Sequence, residues 1–219
     1  MISKFAAIAA LAMLAAGSAQ AVTVTTANGA PDPGFGAGES LLVDFNNDLP
    51  AGYSLTGAFA YATGSSSSAA APALDTSRYL VVSSAISDGV ATLRTAFDLS
   101  SLSFYWGSID AYNSVHILGL NGATLLELAG SSLGPANGGQ WQEATNRRVY
   151  FTADPGEVIT GVRFASTGIA FELDDIAGMA ANGGIAAGVP EPATWSLMLI
   201  GFGMIGASIR RKQIKTAAA

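Results

Sequence analysis

The stretches Val158-Ile159-Thr160-Gly161-Val162-Arg163-Phe164 and Ile169-Ala170-Phe171-Glu172-Leu173-Asp174-Asp175-Ile176 decide the fold class. In the first, Val158, Thr160, Val162 and Phe164 make one largely apolar face, while Gly161 and Arg163 point the other way. Ile169, Phe171 and Leu173 repeat the pattern with Glu172 and Asp174 outside. Residues two apart share a strand face, so this period predicts half-buried β-strands.

Further candidate strands lie at residues 41–45, 53–61, 79–84, 91–97, 102–106, 114–120, 124–128 and 148–152. Long amphipathic helical patterns are lacking, and glycine, serine, threonine and alanine dominate the connections. Such a chain is expected to be all-β, an antiparallel β-sandwich of jelly-roll type. Asn121-Gly122 between two apolar runs is the best hairpin signal. Residues 64–72 (Gly-Ser-Ser-Ser-Ser-Ala-Ala-Ala-Pro) are too poor in apolar bulk to order themselves and predict a flexible surface excursion. Residues 133–139 read as another loop.

The chain has 219 residues and no cysteine, so disulfides, thiol nucleophiles and thiolate metal sites are excluded and stability must come from a packed core. The formal charge of −6 hides a division. Between positions 22 and 188 there are 15 acidic residues against five arginines and no lysine, which gives −10. A body this acidic does not seek nucleic acid or anionic lipid.

Residues 1–21 carry a lone Lys4, an apolar core and then Ala19-Gln20-Ala21. This is the pattern of a secretory signal peptide with its peptidase site at Ala19 and Ala21, so the mature chain is expected to begin at Val22. Residues 22–178 are then the β-sandwich ectodomain, and residues 179–188, nearly all Ala and Gly, a flexible tether.

The other terminus is a second address. Pro190 and Pro192 fix their own φ and push their predecessors out of helical space, so Val189-Pro190-Glu191-Pro192 is expected to be extended and pre-ordered. Residues 194–209 carry no charge and would span roughly 24 Å as a helix, against roughly 30 Å for the hydrocarbon core. Trp195 at one interface and snorkelling Arg210, Arg211 and Lys212 at the other cover the deficit and keep the basic end cytoplasmic. Residues 214–219 are a short tail.

This tail (residues 189–213) resembles the PEP-CTERM sorting signal of Gram-negative bacteria, in its Pro-Glu-Pro-x-x-Trp variant. The residues that carry the resemblance are Pro190, Glu191, Pro192 and Trp195, then Gly201-Phe202-Gly203, Gly206, Arg210 and Arg211. Ser196-Leu197 depart from the Ala-Met usual after the tryptophan. The resemblance implies recognition by an exosortase, a membrane-embedded cysteine peptidase or transpeptidase, after export by the secretion machinery and signal peptidase. Transient residence in the inner membrane is followed by transfer to the cell surface or extracellular matrix. The match of Gly201-Phe202-Gly203-Met204-Ile205-Gly206 to G-x-G-x-x-G is a decoy, because no acidic residue follows it. Gly201, Gly203 and Gly206 read instead as a close-packing face of the membrane helix.

In the body, chemistry is sparse. His116, the single histidine, has no second histidine or cysteine to form a metal site, and lies between inward-facing Val115 and Ile117. Asp174-Asp175 are strand neighbours that do not converge, although with Asp44 they offer a calcium site of carboxylates and carbonyls. No other cofactor is implied. Solvated strand-end acids are the plainer reading. The densest aromatic stretch, Phe104-Tyr105-Trp106-Gly107-Ser108-Ile109-Asp110-Ala111-Tyr112-Asn113, assigns Phe104 and Trp106 to the core. Tyr105, Tyr112 and Asn113 are left as candidate glycan contacts. Phe104 to Asn113 and Phe171-Glu172-Leu173-Asp174-Asp175-Ile176 also look like the bodies of other PEP-CTERM surface proteins, which implies only a surface sandwich. No Gly-x-Ser-x-Gly elbow or HExxH is present. The chain is therefore expected to be a non-catalytic surface or matrix protein that associates with exopolysaccharide. The alternative is a secreted carbohydrate-active hydrolase using two carboxylates distant in sequence.

Overall fold

The computed structural model describes residues 21–181. The expected signal peptide up to Gln20, the expected tether beyond Ala181 and the whole sorting tail with its expected membrane helix lie outside the described residues. Eleven strands carry the fold: β1 (Val22–Asn28), β2 (Ser40–Val43), β3 (Ser54–Gly57), β4 (Phe59–Thr63), β5 (Arg78–Val82), β6 (Val90–Gly107), β7 (Asn113–Leu118), β8 (Thr124–Ala129), β9 (Arg147–Ala153), β10 (Ile159–Ser166) and β11 (Phe171–Ala180). All their pairings are antiparallel. Helix among the described residues is confined to short 3-10 turns. The chain is mostly β, as its periodicity demands.

The main path of neighbours runs β4-β5-β11-β6-β10-β7-β8, with β2 on β11, β3 and β9 on β6, and β1 on β9. β6 is the strand on which this path turns. Its first half pairs with β3 and β10, Leu93 lying opposite Leu55 and Val162. Its second half pairs with β11 and β9, Leu102 lying opposite Gly178 and Phe151. Between them residues 95–98 bulge out, so that Ile159 pairs with Leu99 while Gly161 pairs with Arg94. The two strands expected at 91–97 and 102–106 are thus one.

Both halves feed one core. Phe104 stacks on Phe151 of the neighbouring β9 at 5.8 Å and meets the edge of Phe164 from β10 at 5.4 Å. Trp106 lies flat on Phe171, with ring centroids 4.4 Å apart. Each of these rings is fully buried. Burial of one such side chain contributes roughly 1.5–3 kcal/mol.

Several boundaries differ from expectation for physical reasons. Ile159, not Thr160, enters the core, because the bulge shifts the parity of β10. The run 53–61 splits at Gly57, whose φ is +104° and where a Cβ would stand 2.2 Å from the Val90 carbonyl oxygen. β11 extends to Ala180, two residues beyond the expected end of the domain at 178. The β7–β8 turn is as expected, with φ of +55° at Asn121 and +78° at Gly122. β1 was not among the expected strands.

The largest correction concerns the face opposite the core. Glu172 and Asp174, expected outside, are 2% and 1% exposed. Two segments cover them. Residues 64–77 fold back over β6 and β11: Ala70 N donates to Glu172 Oε1 at 2.9 Å, Ala73 N to Asn146 Oδ1 at 3.0 Å, and Tyr79 Oη to the Gly64 carbonyl at 2.8 Å. Small side chains at 69–71 let this backbone lie close to the sheet, so the segment expected to be a free excursion is a lid. Residues 29–39 cover the rest, with Tyr105 Oη donating to the carbonyls of Gly29 and Ala73. Arg148, fully buried here, pairs with Asp32 at 2.5 Å and donates to Ser103 Oγ and the Asp175 carbonyl oxygen.

Removing one partner of a buried pair strands the other charge. Asp32→Ala is therefore expected to cost about 3–5 kcal/mol in urea unfolding, and Asp32→Ala/Arg148→Met together to recover most of it. A double variant no more stable than the single one would refute this role.

Candidate functional site

Where β6 ends beside the start of β11, a polar cavity of about 100 Å³ opens between Glu172, Ser108, Asp110, Gln140 and the lid residues 66–70. The chain leaves β6 through Ser108 at φ +36°. That turn brings Ser108 Oγ to donate to Glu172 Oε2 at 3.1 Å. Asn146, fully buried, holds the walls together. Its Oδ1 accepts from Ser108 N and Ala73 N, and its Nδ2 donates to the carbonyls of Gly139, Gln140 and Gln142. The lid, the strand end and the loop with Gln140 thus share one amide.

The two acids differ in setting. Glu172, buried at the floor, is pushed up to about 7 by burial. The hydrogen bonds from Ala70 and Ser108 oppose that shift, and Asp110 adds to it. Asp110, half-buried, accepts from Tyr112 Oη at 2.6 Å. Burial raises its pKa against that hydrogen bond. No cation contributes to either shift. Near neutrality Glu172 is divided between acid and carboxylate, so it can donate as well as accept.

Of the expected glycan contacts, only Tyr112 is exposed, with its ring against Gly168 beside the cavity. Tyr105 and Asn113 are 2% and 1% exposed, and spend Oη and Nδ2 on backbone carbonyls, which removes them from any ligand surface. Asp174 shares Ser77 Oγ with Asp75, and burial first of all holds its carboxyl well above the usual range. Asp175 sits at φ +50° on a bulge of β11, its N–H donating to Asp174 Oδ1. Asp44 is occupied by its own turn, accepting from Asn46 N and Asn47 Nδ2. Among the described residues no group of three or more histidines and acids stands close enough to hold a metal ion. His116 lies 3.8 Å from Glu127, its pKa lowered by burial and Arg163.

Sequence reasoning missed Glu172, Ser108 and Gln140 as neighbours. The available signal was the pair Glu172 and Asp174 on one strand face, opposite a serine- and alanine-rich segment small enough to cover it.

The sorting tail has an independent identification. Residues 188–212 match the family model of the PEP-CTERM protein-sorting motif. This chain carries a PEP-CTERM sorting signal. The motif implies export, an exosortase partner and a transient membrane anchor before sorting. No curated protein and no solved structure was found to match this chain.

The raised acids give the body a pH signature. An acid held above its ordinary value binds its proton more tightly when folded, so its contribution is complete below about pH 4.5 and lost as pH rises through about 7. The thermal midpoint is expected to fall between pH 5 and pH 8. Glu172→Gln should raise the midpoint at pH 8 by about 2–4 °C, on the order of 1 kcal/mol, and flatten the slope. Melts followed by circular dichroism decide this; an unchanged slope in the variant would remove Glu172 as the source.

Proposed function

We propose that this PEP-CTERM protein is a non-catalytic component of the cell surface or extracellular matrix, and that its body associates with exopolysaccharide. The sorting motif at residues 188–212 carries the proposal, because it gives the protein a destination rather than a reaction. The body is read as a two-layer β-sandwich, with Phe104 and Phe164 packed between the layers. Support for this layering comes from β10 pairing with one half of β6 while its Phe164 meets the other half edge to face. Export begins with cleavage after Ala21; β1 starts at the next residue, as a mature N-terminus would.

The polar cavity is the surface proposed for glycan. Its hydroxyl, amide and carboxyl groups match the hydrogen-bonding capacity of sugar hydroxyls, and exposed Tyr112 supplies an apolar ring beside it. A secreted hydrolase is the second reading, favoured by the two raised carboxyls in one cavity.

Intact mass of the protein recovered from the outer surface of its host tests the destination. The expected species begins at Val22 and ends near Pro190-Glu191-Pro192, and Glu191→Ala abolishes it. A chain still ending at Ala219 in the inner membrane would make the tail a simple anchor. Turnover of a labelled matrix glycan by the purified protein would replace the binding role with a hydrolytic one.

A further inference from the structure

We propose that the cavity between the end of β6 and the start of β11 takes the primary ammonium group of an amino sugar in the matrix polymer and excludes uronic acids. This rests on the glycan reading above and names the sugar class.

Two carboxyl groups line the cavity, together with the hydroxyls of Ser66, Ser67, Ser68 and Ser108 and the amide of Gln140, and no cation is among the lining residues. Asp32, partly exposed, is answered by Arg148 at 2.5 Å; Asp174, like Glu172, is buried without a cation among the described residues, but it does not line this cavity. Asp110 and Glu172 make no ion pair among the described residues. Two acids sharing a cavity without a counter-charge repel one another, and an entering cation relieves that repulsion. A carboxylate-bearing sugar would increase it. The groups that sense Glu172, namely Tyr79 from β5 and Asp110 and Tyr112 from the turn after β6, are likewise neutral or acidic.

Size agrees. At about 30 Å³ per water, a cavity of about 100 Å³ holds roughly three waters, enough for an ammonium with part of its ring but not a whole saccharide. The remainder of the sugar would lie on the rim, where Ile169 is 53% exposed and Tyr112 37%. Trp141, 71% exposed, follows Gln140 in the same loop. Serine hydroxyls around the acids favour a sugar over a lysine side chain, whose long apolar stem would meet polar walls.

Ammonium binding requires Glu172 as carboxylate, so the proton it holds near neutrality leaves on binding. The sugar's own amine also loses its charge near neutrality, so affinity should pass through a maximum between about pH 6 and pH 8, where carboxylate and ammonium coexist. A neutral sugar has no such requirement.

The test is calorimetric titration of the mature exported protein, at about 0.15 M salt, with a glucosamine trimer, its N-acetylated counterpart, a galacturonate trimer and a lysine-rich peptide. The glucosamine trimer should bind at least tenfold more tightly than the N-acetylated one, and the galacturonate trimer not at all. Asp110→Asn and Glu172→Gln should each weaken it tenfold or more. Asp98→Asn, which removes an exposed acid on the β6 bulge, should not. Equal loss in Asp98→Asn would mean attraction to net charge, and tighter binding of the peptide would mean a protein partner; either overturns the proposal. N-acetylated sugar binding as well as the amine overturns the ammonium assignment but leaves glycan association standing. Binding of no sugar overturns both. Unfolding of one cavity variant leaves the other to decide.

Discussion

A guanidinium without access to water sets the terms for one whole face of this protein. The planar fork of Arg148 presents its donors in fixed directions. Its partners must therefore be fixed too: Asp32 from the segment after β1, Ser103 on β6 and the carbonyl of Asp175 on β11. The last of these is within reach because β11 bulges there, with Asp175 at φ +50°. Phe35 closes over the guanidinium at 4.6 Å. The segments that look like loops are consequently parts of the packed structure. They supply acceptors and donors that the sheet, polar on this face, cannot supply to itself.

That constraint also explains what was legible in the sequence. Strands announce themselves through alternation, so those around Phe164, Phe171 and Leu126 were readable from side chains alone. β1 was not, because along Val22-Thr23-Val24-Thr25-Thr26 only Val22 is fully buried and the rest is an outer strand alternating with threonine. The continuity of β6 was hidden for a related reason: Asp98, Ser100, Ser101 and Ser103 look like a break to a reader of side chains, whereas its pairing with β9 and β11 is a matter of backbone. Alternation correctly put Glu172 and Asp174 on one face. It could not say that the face is covered. Coverage comes from residues 64–77, whose small side chains carry little apolar signal and whose role lies in close approach and backbone donors.

The cavity was half legible. Asp110 and Tyr112 stood out as polar and aromatic neighbours in one stretch, and they do sit together. Glu172, Ser108 and Gln140 meet them only through the convergence of a strand end, a lid and a distant loop under one amide, Asn146, and no local spacing encodes that. The sorting tail is the opposite case. A processing enzyme reads it as a linear peptide, so two prolines around a glutamate, an uncharged run and a basic end carry their meaning without any fold.

Charge acts on this protein at two ranges, and the two have different consequences. A body with 15 acids against five arginines attracts cations and repels polyanions from any direction. That field fades beyond about 10 Å in ordinary salt, and it favours any polycation alike. The selectivity proposed for the cavity would come from desolvation: Glu172, removed from water, gains more from a cation at contact than an exposed acid such as Asp98 can. Desolvation also holds Glu172 near neutrality as a partial acid, so the same burial that would make the site selective would make occupancy compete with a proton. A surface protein with this body would meet its matrix through general attraction first and local discrimination second.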